Sequence, residues 1–152
     1  IKGSIAGAMG FGQFMPDSYR KYAVDFDSDG KRDLFNSPVD AIGSVANFLS
    51  KKGKWRPNQG IAVRAFSNSD SRPNIKSSFK PSFTIVDLQK KGLSPMKPLL
   101  SNQKYLPVEL QLDNGYEYWI GMHNYQSLSR YNRSKLYIMA VIELSNSLVD
   151  FL

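Results

Sequence analysis

The stretch DFDSDGKRDLFN, Asp25 to Asn36, constrains this chain most, because it sets aspartate at positions 1, 3 and 5 and glycine at position 6 of a twelve-residue loop. Carboxylates this close repel one another unless something neutralises them. Alternate side chains of such a loop converge on a hard cation, the glycine permits the sharp turn, and position 7, Lys31, offers its carbonyl. Position 12, where a calcium loop usually has a bidentate glutamate, is Asn36; the next carboxylate in reach is Asp40. We expect a structural calcium ion held by Asp25, Asp27, Asp29, the Lys31 carbonyl and Asp40, fixing the angle between two flanking helices. A solvated acidic turn partnered by Lys31 and Arg32 is the alternative. Catalytic metal chemistry would need an open coordination position and a nearby base, which the sequence does not offer.

The flanking patterns are helical. After Pro16, DSYRKYAV starts with Asp17 or Ser18 as N-cap. Ser37-Pro38 announces a second helix with Val39, Ile42, Val45, Ala46 and Leu49 on one face, closed by Gly53. From Lys54 to Leu100, Pro57, Pro73, Pro81, Pro95, Pro98 and the polar run SNSDSRPN describe loops around two short elements. These are IAVRAF, a strand, and SFTIVDLQKKG, a capped helix ending at Gly92. From Val108, VELQL, then Asp113-Asn114-Gly115, then YEYWIGMHNYQSLSRYN read as a β-hairpin with an Asn-Gly turn. SKLYIMAVIELSNSLVDFL is a terminal helix with Ser134 as cap. The expected fold class is α+β. It has a helical part with the acidic loop (1–53), a loop-rich insert (54–107), and a hairpin plus terminal helix (108–152), all within one domain.

The chain's 152 residues, 41% of them apolar and 12% aromatic, suffice for a packed core. Twenty Lys and Arg against thirteen Asp and Glu give a formal charge of +7, which favours polyanionic partners without naming one. No nucleic-acid-binding motif accompanies that charge, so nucleic acid is not expected as a partner. Cysteine is absent, which excludes disulfides and thiolate metal sites. No apolar run approaches the roughly 18 residues that span a bilayer. The sequence starts at Ile1 in what reads as a continuing polypeptide, and we expect it to be a fragment with an upstream portion.

AGAMGFGQFMP, Ala6 to Pro16, holds three glycines, two methionines and two phenylalanines around one amide, Gln13, and nothing that titrates near neutrality. Taken together, GSIAGAMGFGQFMPDSYRKYAVDFDSDGKRDLFNSPVDAIGSVANF resembles the lytic murein transglycosylase B family, bacterial peptidoglycan-cleaving enzymes with a lysozyme-like core. The resemblance continues through LQLDNGYEYWIGMHNYQSLSRYNRSKLYIMAV. The glycine-methionine-glutamine run, the calcium loop and RYN followed by a tyrosine stand in the family's order.

The resemblance implies cleavage of the bond between N-acetylmuramic acid and N-acetylglucosamine. One glutamic acid serves first as general acid on the glycosidic oxygen, then as base on the muramoyl 6-hydroxyl, closing a 1,6-anhydro ring. Such an acid needs an apolar, poorly solvated setting to stay protonated near neutrality. The family places it in a Gly-Val-Glu-Thr type motif, expected upstream of Ile1. Glu109 and Glu117 read instead as polar members of strands, and Glu143 as a residue of the terminal helix. No catalytic residue is therefore expected in this chain.

The resemblance further implies substrate-side roles for Ser4, near the acid, and for Gln13, on sugar N-acetyl or hydroxyl groups. Met9 would line the cleft, whereas Met15 reads as core packing. Tyr131 and Asn132 would sit at the muramoyl side of the scissile bond and Tyr137 beside the acid, where aromatic faces stack on pyranose rings. Phe48 occupies a substrate-side position that is often tyrosine. The implied partner is the glycan strand of peptidoglycan and the implied home is the periplasm, with outer-membrane anchoring through an N-terminal lipoprotein segment as a further expectation. A non-catalytic module that binds peptidoglycan or calcium remains the alternative.

Overall fold

The computed structural model describes residues 7–149 and divides the chain into two compact units, one ending at Lys54 and the other starting at Trp55. The first unit is helical. Helix α1 spans Pro16–Tyr22 and α2 spans Pro38–Phe48, which continues as one wider turn over Leu49–Gly53. Proline occupies the first turn of both, where its missing N–H is no loss. Ser37 caps α2 as expected, its Oγ accepting the Asp40 N–H at 3.2 Å. In α1 the N-cap is Met15, with no side-chain cap bond, rather than Asp17 or Ser18. Asp17 instead pairs along the helix surface with Lys21 at 2.9 Å.

The buried face of α2 differs from the expected one. Val39 and Ile42 are exposed, and the helix buries Asp40, Ala41, Gly43, Ser44 and Phe48. The acidic loop packs on this face and brings backbone groups that need partners. Ser44 Oγ accepts the Val24 N–H at 2.9 Å, and Asn47 donates to the Tyr22 carbonyl at 2.9 Å. Apolar periodicity ranks faces by hydrophobicity, but here unpaired backbone N–H groups decide which face turns inward. Phe14, Leu34 and Phe48 complete the small core, with the Phe48 ring 5.8 Å from Phe14 and 5.2 Å from Tyr22. Burying each such ring stabilises by about 1.5–3 kcal/mol.

The second unit is built on an antiparallel sheet in the order β2-β1-β4-β3. Its strands are β1 (Ala62–Ser67), β2 (Leu93–Pro95), β3 (Leu106–Leu112) and β4 (Gly115–Gly121). β1 is the expected strand of the middle segment. Helix α3, Ile85–Lys90, follows a Thr84–Asp87 capping box and stops before Gly92, as expected. Leu112 pairs with Gly115, so the hairpin loop is Asp113-Asn114 and the positive φ of 108° falls on Gly115. Ile85, Leu88, Leu93, Tyr105 and Ile120 form the core beneath the sheet.

The expected second hairpin strand is too long. β4 ends at Gly121, and His123–Ser129 forms helix α4, burying Asn124, Tyr125, Ser127 and Leu128. That i, i+1, i+3, i+4 spacing is the helical signal that the preceding alternation hides. Helix α5, Lys135–Val149, follows, with Ser134 Oγ accepting the Tyr137 N–H at 3.3 Å. Among the described residues, five α-helices and a four-stranded antiparallel sheet make the α+β class expected.

Candidate functional site

In the first unit, the run from Met9 to Phe14 closes a tight turn. Met9 and Phe14 exchange backbone hydrogen bonds at 2.9 Å in both directions, and Phe11 N–H donates to the Leu34 carbonyl at 2.8 Å. Gly10 sits at φ 65°, and a Cβ there would lie 2.3 Å from the Leu34 oxygen, so only glycine fits. Gln13 also adopts a left-handed conformation, φ 49°, uncommon for a residue with a side chain. Its backbone N–H and its Nε2 both donate to the Gly10 carbonyl, at 3.0 and 2.9 Å. The turn thus holds an exposed amide in a fixed direction beside half-buried Met9 and the exposed Phe11 and Met15. Met15 is therefore not the core residue expected. Phe48 lies 3% exposed behind this turn.

The acidic loop is pinned from several sides. Asp25, Asp27 and Asp29 bring carboxylate oxygens within 4.8 Å of one another. Gly30 takes the positive φ, 90°, expected of position 6. Asp25 accepts the N–H groups of Asp29 and Gly30 at 3.1 and 2.9 Å, and Asp29 accepts that of Lys31 at 2.8 Å. Among the described residues none of the three aspartates is ion-paired with Lys31 or Arg32. Converging hard oxygen donors that no described lysine or arginine pairs within ion-pair distance fit a calcium ion. Asn36 turns its amide back on Asp33 at 2.9 Å.

Asp40 stands apart from that trio, 1% exposed at the first turn of α2. One of its oxygens accepts the Phe26 N–H at 2.7 Å and the other that of Asp33 at 2.8 Å, clamping both limbs of the loop. The N–H groups of Asp33 and Phe26 hold its carboxyl below the usual aspartate range. The sequence treats Asp40 as one more oxygen ligand; its service to the loop backbone is what spacing alone does not display.

In the second unit, Tyr131 and Tyr137 stack with ring centroids 6.5 Å apart and planes 12° from parallel. Burial pushes the Tyr131 phenol up to about 12, while Tyr137 is 38% exposed at the start of α5. Asn132, exposed beside Tyr131, donates its backbone N–H to the Leu128 carbonyl at 3.1 Å. Ser4 lies outside the described residues. Of the three glutamates, Glu109 is ion-paired with Arg72, whose Nε donates to it at 2.8 Å. Glu117 accepts from the Trp119 indole at 2.5 Å and faces Arg64 at 3.5 Å, and Glu143 is exposed. Two of the three are thus tied to arginines and the third faces solvent.

A family profile described as a transglycosylase SLT domain matches residues 1–146. The chain belongs to that family. The membrane-bound lytic murein transglycosylase B of Escherichia coli K12 is 45% identical over 147 residues, 97% of this chain and 39% of that protein. The lytic transglycosylase Slt35 of E. coli, solved in complex with calcium, superposes with a TM-score of 0.84 at 44% identity, over 98% of this chain and 46% of that one. SltB3 of Pseudomonas aeruginosa, solved in complex with NAG-anhNAM-pentapeptide, gives 0.73 at 33% identity, over 93% and 38%. The α+β, lysozyme-like fold expected from the sequence is the fold of these relatives, and this chain spans under half the length of each.

Proposed function

We propose that the protein containing this chain is a peptidoglycan lytic transglycosylase, cleaving the β-1,4 bond between N-acetylmuramic acid and N-acetylglucosamine and leaving a 1,6-anhydro end. The observation that carries this reading is the 45% identity to a lytic murein transglycosylase over 97% of the chain. The chain's own residues bind and orient the glycan. Gln13, fixed by the Gly10 turn, addresses N-acetyl or hydroxyl groups beside Met9, and Phe48 backs the turn from behind. Tyr131, Asn132 and Tyr137 offer an aromatic face and an amide to the muramoyl side, and Ser4 supports the acid. Tyr131, with its phenol held neutral, hydrogen-bonds without exchanging protons at physiological pH.

The general acid comes from the part of the relatives' length that this chain does not span. In support, Glu109 and Glu117 are tied to arginines and Glu143 is solvated. Removing the acid leaves a module that holds substrate and performs no cleavage. Asp25, Asp27, Asp29 and the Lys31 carbonyl would hold calcium, while Asp40, expected as a further ligand, instead clamps the loop backbone with both oxygens; the ion would supply structural rigidity to the loop. We place the protein in the periplasm, with an outer-membrane anchor outside this chain; no described helix is long and apolar enough to cross a membrane. Mass spectrometry of sacculi digested with the longer protein tests the proposal. Muropeptides with 1,6-anhydro ends are expected, and reducing ends from hydrolysis would contradict it.

A further inference from the structure

A cavity of about 390 Å³ opens in the second unit where four stretches of chain meet. Arg56, Lys80, Lys104 and His123 line it together with the amides of Gln103 and Gln126, and no carboxylate does. This polar lining is held by backbone bonds. Asn124, fully buried, accepts the Arg56 N–H and donates to the Arg56 and Gln59 carbonyls, each at 2.9 Å. Those bonds fasten the Arg56 stretch to α4, which carries His123 and Gln126. On the other side, Ser82 and Phe83 N–H groups donate to the Tyr105 carbonyl at 2.9 and 3.1 Å, and Tyr105 N–H donates to Phe83 at 2.7 Å. That bridge sets Lys80 and Lys104 on adjacent strands of chain.

Two cations elsewhere in this unit meet acids: Arg64 meets Glu117 and Arg72 meets Glu109. Among the described residues, Arg56, Lys80 and Lys104 meet none within ion-pair distance. Asp87 feels the field of Lys104, but its carboxylate is taken by the Thr84 N–H and hydroxyl at 2.8 and 2.7 Å. Like charges fixed around one concavity repel, and an anion that enters relieves the repulsion. A guanidinium fork, two ammonium groups and neutral amide donors are the donor set that binds oxyanions. The volume falls within the range of small-molecule pockets.

We infer that this cavity binds an oxyanion, a carboxylate or a phosphate, carried on a small polar molecule or on the end of a larger one. Titrating citrate and inorganic phosphate separately into the chain at about 0.15 M salt, where surface charges are largely screened, tests this by backbone amide NMR shifts. Saturable shifts confined to the residues around positions 56, 80, 103–104 and 123–126 are expected. Arg56→Gln and Lys104→Gln should each weaken binding about tenfold or more, as loss of a charge-assisted hydrogen bond does, without changing the melting temperature. Lys80→Gln serves as a third variant should either of these unfold. Lys51→Gln, in the first unit, should leave binding unchanged. Tighter citrate than phosphate assigns a carboxylate ligand such as a peptide end, and the reverse assigns a phosphate-bearing one. Shifts scattered over all lysines, or equal weakening by Lys51→Gln, would overturn the site.

Discussion

Gly10 and Gln13 show how a segment without titratable groups can still be chemically specific. The sequence displays the glycines and the single amide; it does not display that a carbonyl passes 2.3 Å from where a Gly10 Cβ would be. Gly10→Ala should cost about 2 kcal/mol or more through a strained φ and that clash, read as a lowered urea midpoint; an unchanged midpoint would mean the turn is not as described. In the longer protein, Gln13→Ala should lower turnover of sacculi more than it lowers stability, because it removes an exposed amide and a local bond. Loss of stability without a matching loss per folded molecule would make Gln13 a turn residue only. Burial also pushes the phenols of Tyr125 and Tyr131 up to about 12, against a usual 10.0. Below pH 10 both are neutral folded or unfolded. Between 10 and 12 the unfolded chain ionises first, so stability falls as pH rises and the loss is complete above 12. The urea midpoint of Tyr125→Phe should therefore drop less between pH 9 and 11 than that of the wild type, and equal drops would contradict the buried phenol.

At the scale of elements, the acidic loop was the most legible part of the sequence, because alternating aspartates and a glycine specify a shape as well as a chemistry. The capping signals at Ser37 and Ser134 were legible for the same reason: a short polar side chain before an apolar run has one local use. The buried face of α2 was not legible, since backbone N–H groups arriving from residues 24–33 choose it. Helix α4 was missed because the alternation of YEYWI was extended past Gly121 into HNYQSLS, where the buried positions 124, 125, 127 and 128 follow a helical spacing instead. The loop makes two variants separable. Calcium should raise the melting temperature of the chain, and Asp27→Ala should abolish that rise while changing little in chelator. Asp40→Ala should lower the melting temperature in chelator as well, because it leaves the N–H groups of Phe26 and Asp33 without their acceptor. A melting curve indifferent to calcium would end the metal assignment.

For the whole molecule, the proposed glycan contacts fall on both units. The turn at Gln13 belongs to the first and the stacked Tyr131–Tyr137 pair to the second. These positions were read from short motifs and await test, while the raised pKa of Tyr131 depends on burial that sequence spacing does not reveal. Of the three glutamates, two are paired with arginine and one is in solvent, and on the proposed function none of them is the acid. The central claim is that this chain holds peptidoglycan and leaves bond cleavage to a group outside it. It is tested most directly by incubating the chain alone with purified sacculi and measuring pelleted protein and released muropeptides together. Sedimentation with the sacculi and no 1,6-anhydro-muropeptide release are predicted. Release at a rate comparable to the longer protein, or failure to bind, would contradict the account.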